Sequence, residues 1–223
     1  MFHEAAWLAE GAGPARNIRR GRFGRNTVYF PSIKNNSQVV CESALEADYC
    51  IWLEWDRDVK AFYPQPYTFR WIDQQQKMCY TPDFYVIHVD SPNHFTEVKE
   101  DFEKITNKFK HTLESFIAHR EHQNIYLKLA DTSKIVQPVR LKNLKYLYHR
   151  LQRITPWEIG CLREFLLRCN DELTLNECLY TCPSLSLRAL SMAIFSGQLV
   201  ADLNTPLTME STLTKGHFHE HSN

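Results

Sequence analysis

Between Tyr80 and Lys99 the chain reads as two short runs of strand-forming residues joined by a turn, and the charges in that stretch limit what can be built around it. Phe84-Tyr85-Val86-Ile87 and Phe95-Thr96-Glu97-Val98 are rich in the aromatic and β-branched side chains that suit a pleated, half-buried surface. Asp90-Ser91-Pro92-Asn93 lies between them and has the composition of a turn, so an antiparallel hairpin is expected. Asp83 opens the first run in Tyr80-Thr81-Pro82-Asp83-Phe84, and Glu97 follows 14 residues later. A hairpin of that length lays Asp83 beside Glu97. Side chains alternate along a strand, so Glu97 and Lys99 share one face while Val98 points to the core. Two oxygen-donor carboxylates suit a hard divalent cation such as Mg²⁺, and a neighbouring ammonium can hold a water or a phosphate oxygen. That combination serves metal-assisted phosphodiester hydrolysis. The plainer alternative is an ordinary Pro-Asp turn and an acid-x-Lys triplet on an exposed strand. Asp58-Val59-Lys60 is such a triplet, with no Pro-Asp before it. The strand context around Asp83 and Glu97 favours the site.

The flanking patterns predict an α/β core with a mixed sheet. Over residues 41–55, Leu45, Tyr49, Trp52 and Leu53 recur at helical spacing and make one apolar stripe. Glu42 and Glu46, one turn apart, share a face just off that stripe. Residues 59–71 read as a strand broken by Pro64-Gln65-Pro66, which argues for an edge or a bulge. Residues 79–89 and 94–100 are the two strands of the hairpin. A long amphipathic helix is predicted at 102–119 and a further strand at 124–129. Residues 138–154 read as a basic connector carrying Arg140, Lys142, Lys145, His149, Arg150 and Arg153. Beyond it come helices at 155–169, 174–182 and 184–195, then a two-stranded wing at 198–203 and 208–214. Three short helices and a hairpin make a winged-helix arrangement, whose third helix usually faces DNA. Here that helix offers Arg188 as its base, among Leu187, Leu190, Met192, Ile194 and Phe195, so a protein partner is an equal alternative. The expected divisions are a loosely ordered basic arm at 1–36, a catalytic domain at 37–150 and a small C-terminal domain at 151–223.

The formal net charge is +0, so any DNA binding must come from local patches. Arg16, Arg19, Arg20, Arg22 and Arg25 cluster with two glycines and Phe23, as expected of an arm lying along a phosphate backbone. No stretch approaches the run of about 18 apolar residues that spans a bilayer. Met1-Phe2-His3-Glu4 lacks the layout of a signal peptide, and a cytoplasmic protein is expected. The seven cysteines are scattered and are read as reduced, mostly buried thiols. Cys178 and Cys182, with His217, His219 and His221, form a weak zinc pattern without a Cys-x-x-Cys knuckle.

Taken together, Cys41-Glu42-Ser43-Ala44-Leu45-Glu46, Leu53-Glu54-Trp55-Asp56-Arg57-Asp58-Val59, Gln65-Pro66, Tyr80-Thr81-Pro82-Asp83-Phe84 and Glu97-Val98-Lys99 resemble the TnsA family. These are the endonuclease subunits of heteromeric cut-and-paste bacterial transposases. The resemblance covers about residues 30–130 and continues into the winged-helix-like tail. It implies a restriction-endonuclease-like PD-(D/E)xK core in which Asp83 and Glu97 hold Mg²⁺, with Mn²⁺ as a substitute, and Lys99 orients the attacking water. A glutamate of the first helix completes the cluster, with Glu42 expected and Glu46 as the alternative. The implied reaction is hydrolysis of the 5′ strands at transposon ends, while a DDE-type TnsB-like partner cuts and joins the 3′ ends. A TnsC-like ATPase regulator is the further partner implied. A stand-alone repair, restriction or junction-resolving nuclease of the same fold, and a non-enzymatic DNA-binding adaptor, are the alternatives, since fold does not fix substrate.

Overall fold

In a computed structural model the chain is described at residues 2–9, 11–15, 27–119, 124–169 and 172–216. The arginine cluster from Arg16 to Arg25 and the terminal histidines lie outside these residues. The chain divides into two units, Met1–Val136 and Gln137–Asn223.

The first unit runs α1 (Glu4–Ala9), β1 (Val28–Ser32), β2 (Ser37–Cys41), α2 (Ala44–Trp55), β3 (Val59–Pro64), β4 (Phe69–Asp73), β5 (Gln76–Tyr80), β6 (Phe84–His88), β7 (His94–Lys99), α3 (Asn107–Ala118), β8 (Leu127–Asp131) and the single turn α4 (Thr132–Ile135). Its main sheet has the order β3-β6-β7-β8. The first two pairings are antiparallel and the last is parallel, so the unit is α/β with the expected mixed sheet. A parallel pair needs a crossover, and α3 lies within the β7–β8 connection. The β6–β7 hairpin pairs Phe84 with Thr96 and Tyr85 with Phe95. Alternation then sends these pairs to opposite faces. On one face Phe84 meets Tyr49 of α2, whose hydroxyl is 3.1 Å from Thr96 Oγ1. On the other, Tyr85 and Phe95 join Phe69, Trp71, Tyr80, Leu113 and Phe116 in one buried cluster that ties α3 and β4–β5 to the sheet.

Several boundaries differ from the sequence reading. The strand expected at 59–71 is two strands. Gln65, buried between two prolines with φ of +47°, ends β3, and β4 leaves the sheet to pair with β5 across a Gln74-Gln75 turn with both φ positive. That is a tight hairpin turn without the Asn-Gly that usually signals one. Pro82 separates β5 from β6, so the strand expected at 79–89 is also two. Residues expected to be loose are ordered where described. β1 and β2 form a hairpin, and Phe2 and Trp7 pack against the aromatic cluster. Glu4 accepts hydrogen bonds from Tyr85 Oη at 2.7 Å and Asn93 Nδ2 at 3.0 Å. The β1–β2 hairpin is pinned by buried Glu54, which accepts from Ser32 Oγ at 2.5 Å.

The second unit comprises α5 (Pro138–Leu151), α6 (Pro156–Arg168), β9 (Leu173–Thr174), α7 (Leu175–Thr181), α8 (Leu187–Phe195), β10 (Leu199–Val200) and β11 (Thr212–Lys215). Its small sheet has the order β10-β11-β9, antiparallel throughout. α6 and α7 each begin with a capping box, Thr155 with Glu158 and Thr174 with Glu177. The stretch expected to be a connector is the helix α5. Leu141, Leu144, Leu147 and Tyr148 form its buried side, and α8 packs against it. Buried Asn143 of α5 donates to the carbonyls of Leu203 and Thr205 at 2.9 and 2.7 Å and accepts from Leu207 N–H at 3.2 Å. This fixes the β10–β11 loop. α5 therefore belongs to the second unit, and the division expected after residue 150 compares with one after Val136.

Candidate active site

Asp83 immediately precedes β6, and the pairing of Phe84 with Thr96 sets it against Glu97 of β7. Its Oδ2 accepts the Val98 backbone N–H at 2.8 Å, so Asp83 is held against the neighbouring strand. Lys99 follows Glu97 on the same strand face. Its Nζ contacts Glu97 Oε1 directly, lies 3.5 Å from Asp83 Oδ2 and donates to the Val98 carbonyl at 3.0 Å. The other Glu97 oxygen accepts from Tyr80 Oη at 2.7 Å. Asp83, Glu97 and Lys99 thus converge, as their spacing predicts.

The first-helix glutamates differ in position. Ser43 is the N-cap of α2, and Glu46 N–H donates to its Oγ. The Glu46 carboxylate bends back to accept from Ser43 Oγ at 2.9 Å and from Glu42 N–H at 2.8 Å. Glu46 is buried and Glu42 half-buried. Burial and then the negative charge of Asp83 push the Glu46 carboxyl up to about 7. Burial and Asp83 likewise push Glu97 up to about 7, against the opposing pull of Lys99. For Lys99, burial acts downward, but Asp83 and Glu97 outweigh it and leave the ammonium above its ordinary value. Glu46 and Glu97 thus both feel the charge of Asp83, and Lys99 offsets it in part at Glu97.

All five side chains line a groove of about 860 Å³. Its walls include the first turns of α2 and α3, both of 12 residues, together with Lys108 and Phe109. Helix N-termini carry partial positive charge and unpaired N–H groups that favour phosphate. Among the described residues no group of three or more His, Cys, Asp or Glu is arranged as a metal cage. The expected three-carboxylate set of Glu42, Asp83 and Glu97 is not closed, and Lys99 Nζ bonds both Asp83 and Glu97.

Two features escape sequence reading. Tyr80 sits in the motif, yet nothing in its spacing shows that its hydroxyl anchors Glu97. At the far end of the β6–β7 hairpin, Asp58 Oδ2 pairs with His88 Nδ1 at 2.8 Å, and His88 Nε2 lies 2.9 Å from His94 Nδ1. Hydrogen bonds from Ser91 and Asp90 hold the Asp58 carboxyl well below its usual range. The second acid-x-Lys triplet therefore closes a hairpin. In the second unit, Arg188, the base expected on the DNA-facing helix, donates from Nε to Glu158 Oε1 at 2.8 Å. No protein-family model matches the chain, and no curated protein matches it in sequence.

Proposed function

We propose that this chain is a divalent-cation-dependent DNA endonuclease of restriction-endonuclease-like fold, acting as the TnsA-type subunit of a cut-and-paste transposase. The observation that carries the reading is the convergence of Asp83, Glu97 and Lys99, with Glu46 beside them, in one open groove. The donor set fits the cation. Mg²⁺ keeps several waters and takes one or two carboxylates rather than a full protein cage. The carboxyls of Glu46 and Glu97 are both raised by burial and by Asp83, which is the mark of a site short of positive charge. Asp83 and Glu97 would hold the ion, and Glu46, a buried groove residue whose carboxyl is raised by burial and by the charge of Asp83, would complete the set. The bound ion supplies Lewis-acid charge at the scissile phosphate and a more acidic water.

The remaining work belongs to the chain. Tyr80 holds the Glu97 carboxylate in one orientation. Lys99, released from its carboxylate partners, presents an ammonium to the attacking water or a phosphate oxygen. The first turns of α2 and α3, with Lys108, receive the phosphate backbone. The product is the cut 5′ strand at a transposon end, with the 3′ strand left to a DDE-type TnsB-like partner. The second unit, four helices with a small three-stranded antiparallel sheet, is read as winged-helix-like and as the place where a TnsB-like or TnsC-like partner docks.

The deciding experiment is nicking of a transposon-end duplex in Mg²⁺, with and without the DDE transposase. Cutting is expected with the partner and nearly absent without it, and Asp83→Ala should abolish it while keeping the fold. Strong cutting by the chain alone would favour a stand-alone nuclease, and full activity of Asp83→Ala would refute the site.

A further inference from the structure

We propose that the exposed face of α5 is a docking surface for the phosphate backbone of duplex DNA. This rests on the reading of the chain as a protein that acts on DNA, and it adds a surface in the second unit outside the catalytic groove. Leu141, Leu144, Leu147 and Tyr148 turn one side of α5 into the core. Lys142, Lys145, Tyr146 and His149 are exposed, as is Arg153 just past the helix end. Spaced i, i+3, i+4 and i+7, the four helical positions share one face. From Lys142 to His149 the stripe runs about 10 Å. A duplex carries about one negative charge per 1.7 Å of axis, so such a stripe spans several phosphates. Arg150 Cζ lies over the Tyr146 ring, 3.5 Å from its centroid, and the guanidinium donates to the Tyr146 carbonyl.

The charge is segregated. Lys+Arg and Asp+Glu balance over the whole chain, yet no Asp or Glu occurs between Asp131 and Glu158. That interval carries Lys134, Arg140, Lys142, Lys145, Arg150 and Arg153. A stripe of this kind complements a polyanion. A lipid surface fits poorly, because an interfacial helix must put its apolar side into the acyl boundary, and that side of α5 is already buried in protein.

The test is fluorescence anisotropy of the full chain with a labelled duplex of arbitrary sequence, in EDTA, across a salt series. Lys142→Gln/Lys145→Gln/Arg153→Gln is compared with the equally charged control Arg57→Gln/Lys60→Gln/Lys77→Gln, drawn from exposed positions of the first unit. The α5 variant should bind about tenfold or more weakly and lower the slope of log K against log salt by about 2–3, against little change for the control. Circular dichroism checks the fold. Should the triple variant lose its helix signal, Lys142→Gln and Arg153→Gln taken singly, each lowering the slope by about one, carry the same test. Equal losses in both triple variants, no loss in the α5 variant, or no duplex binding by the wild type overturns the proposal. Because EDTA removes catalysis, a failure of metal-dependent cutting with this binding intact would defeat the nuclease reading and leave the α5 surface standing.

Discussion

Lys99 is held by the groups it would have to leave. Its contacts to Glu97 and Asp83 neutralise part of a crowded carboxylate set, and its place on β7 aims it into the groove. Lys99→Ala is expected to keep DNA and Mg²⁺ binding but slow cleavage about a hundredfold, as for loss of a charge-stabilising group. Loss of fold and cation binding together would make the lysine structural. The two helix glutamates separate more sharply than their spacing allowed. Glu46→Gln retains the cap but not the charge and is expected to be inactive, while Glu42→Gln retains substantial cutting. Single-turnover rates of the two variants decide it, and the opposite order returns the role to Glu42. The raised carboxyls also fix a pH dependence. With folded values near 7 against an ordinary 4.5, Glu46 and Glu97 hold protons that the unfolded chain has lost. Between those values, in EDTA, they make stability fall as pH rises. Glu97→Gln should flatten that fall by on the order of 2 kcal/mol between pH 5 and 8, read from denaturant melts. Identical pH profiles for the two proteins would mean that Glu97 is not the titrating group.

At the level of elements, the β6–β7 hairpin was legible because strand alternation, a Pro-Asn turn and the charged positions all agree. The α2, α3, α6, α7 and α8 helices were legible from apolar stripes and breakers. What was missed has local causes. The Gln74-Gln75 turn lacks glycine or asparagine, so β4 and β5 carried no hairpin signal. α5 was hidden by its own charge. Its Leu141, Leu144, Leu147 and Tyr148 stripe has helical spacing, but six basic residues around it drew the reading toward a connector. The Tyr80–Glu97 and Asp58–His88–His94 contacts depend on register and rotamer, which spacing does not give. The α6–α8 contact offers a test at this scale. Hydrogen bonds from Ser186, from Arg188 and at the α6 cap lower the buried Glu158 carboxyl to about 2. A lowered value gives stability that is present above the ordinary 4.5 and lost as pH falls toward 2. Glu158→Gln is expected to cost on the order of 2 kcal/mol at pH 7 and much less at pH 2.5, as charge-assisted bonds of this kind would. An equal cost at both pH values, by urea melts, would show that Glu158 acts through packing alone.

Taken whole, the chain is two compact units, and this changes where it can be cut. Composition placed the catalytic domain's end near residue 150, since the basic stretch read as a tether. The structure ends the first unit at Val136 and gives α5 to the second, where Asn143 and the leucines of α5 are built in. A fragment ending at Ile154 would keep α5 without its cover. Leu141, Leu144, Leu147 and Tyr148 would be exposed at about 1.5–3 kcal/mol per large apolar side chain, a patch that favours association. A fragment ending at Val136 keeps the mixed sheet, α2, α3 and the groove residues Glu46, Asp83, Glu97 and Lys99. The 1–136 fragment is therefore expected to be monomeric, to melt cooperatively and to bind Mg²⁺ with the same pH dependence as the whole chain, while failing to join the proposed TnsB-like partner. The 1–154 fragment should aggregate or melt broadly. Size-exclusion chromatography, thermal melts and Mg²⁺ titration of the two fragments read this directly. A well-behaved 1–154 fragment beside an unfolded 1–136 fragment would mean that α5 completes the first unit.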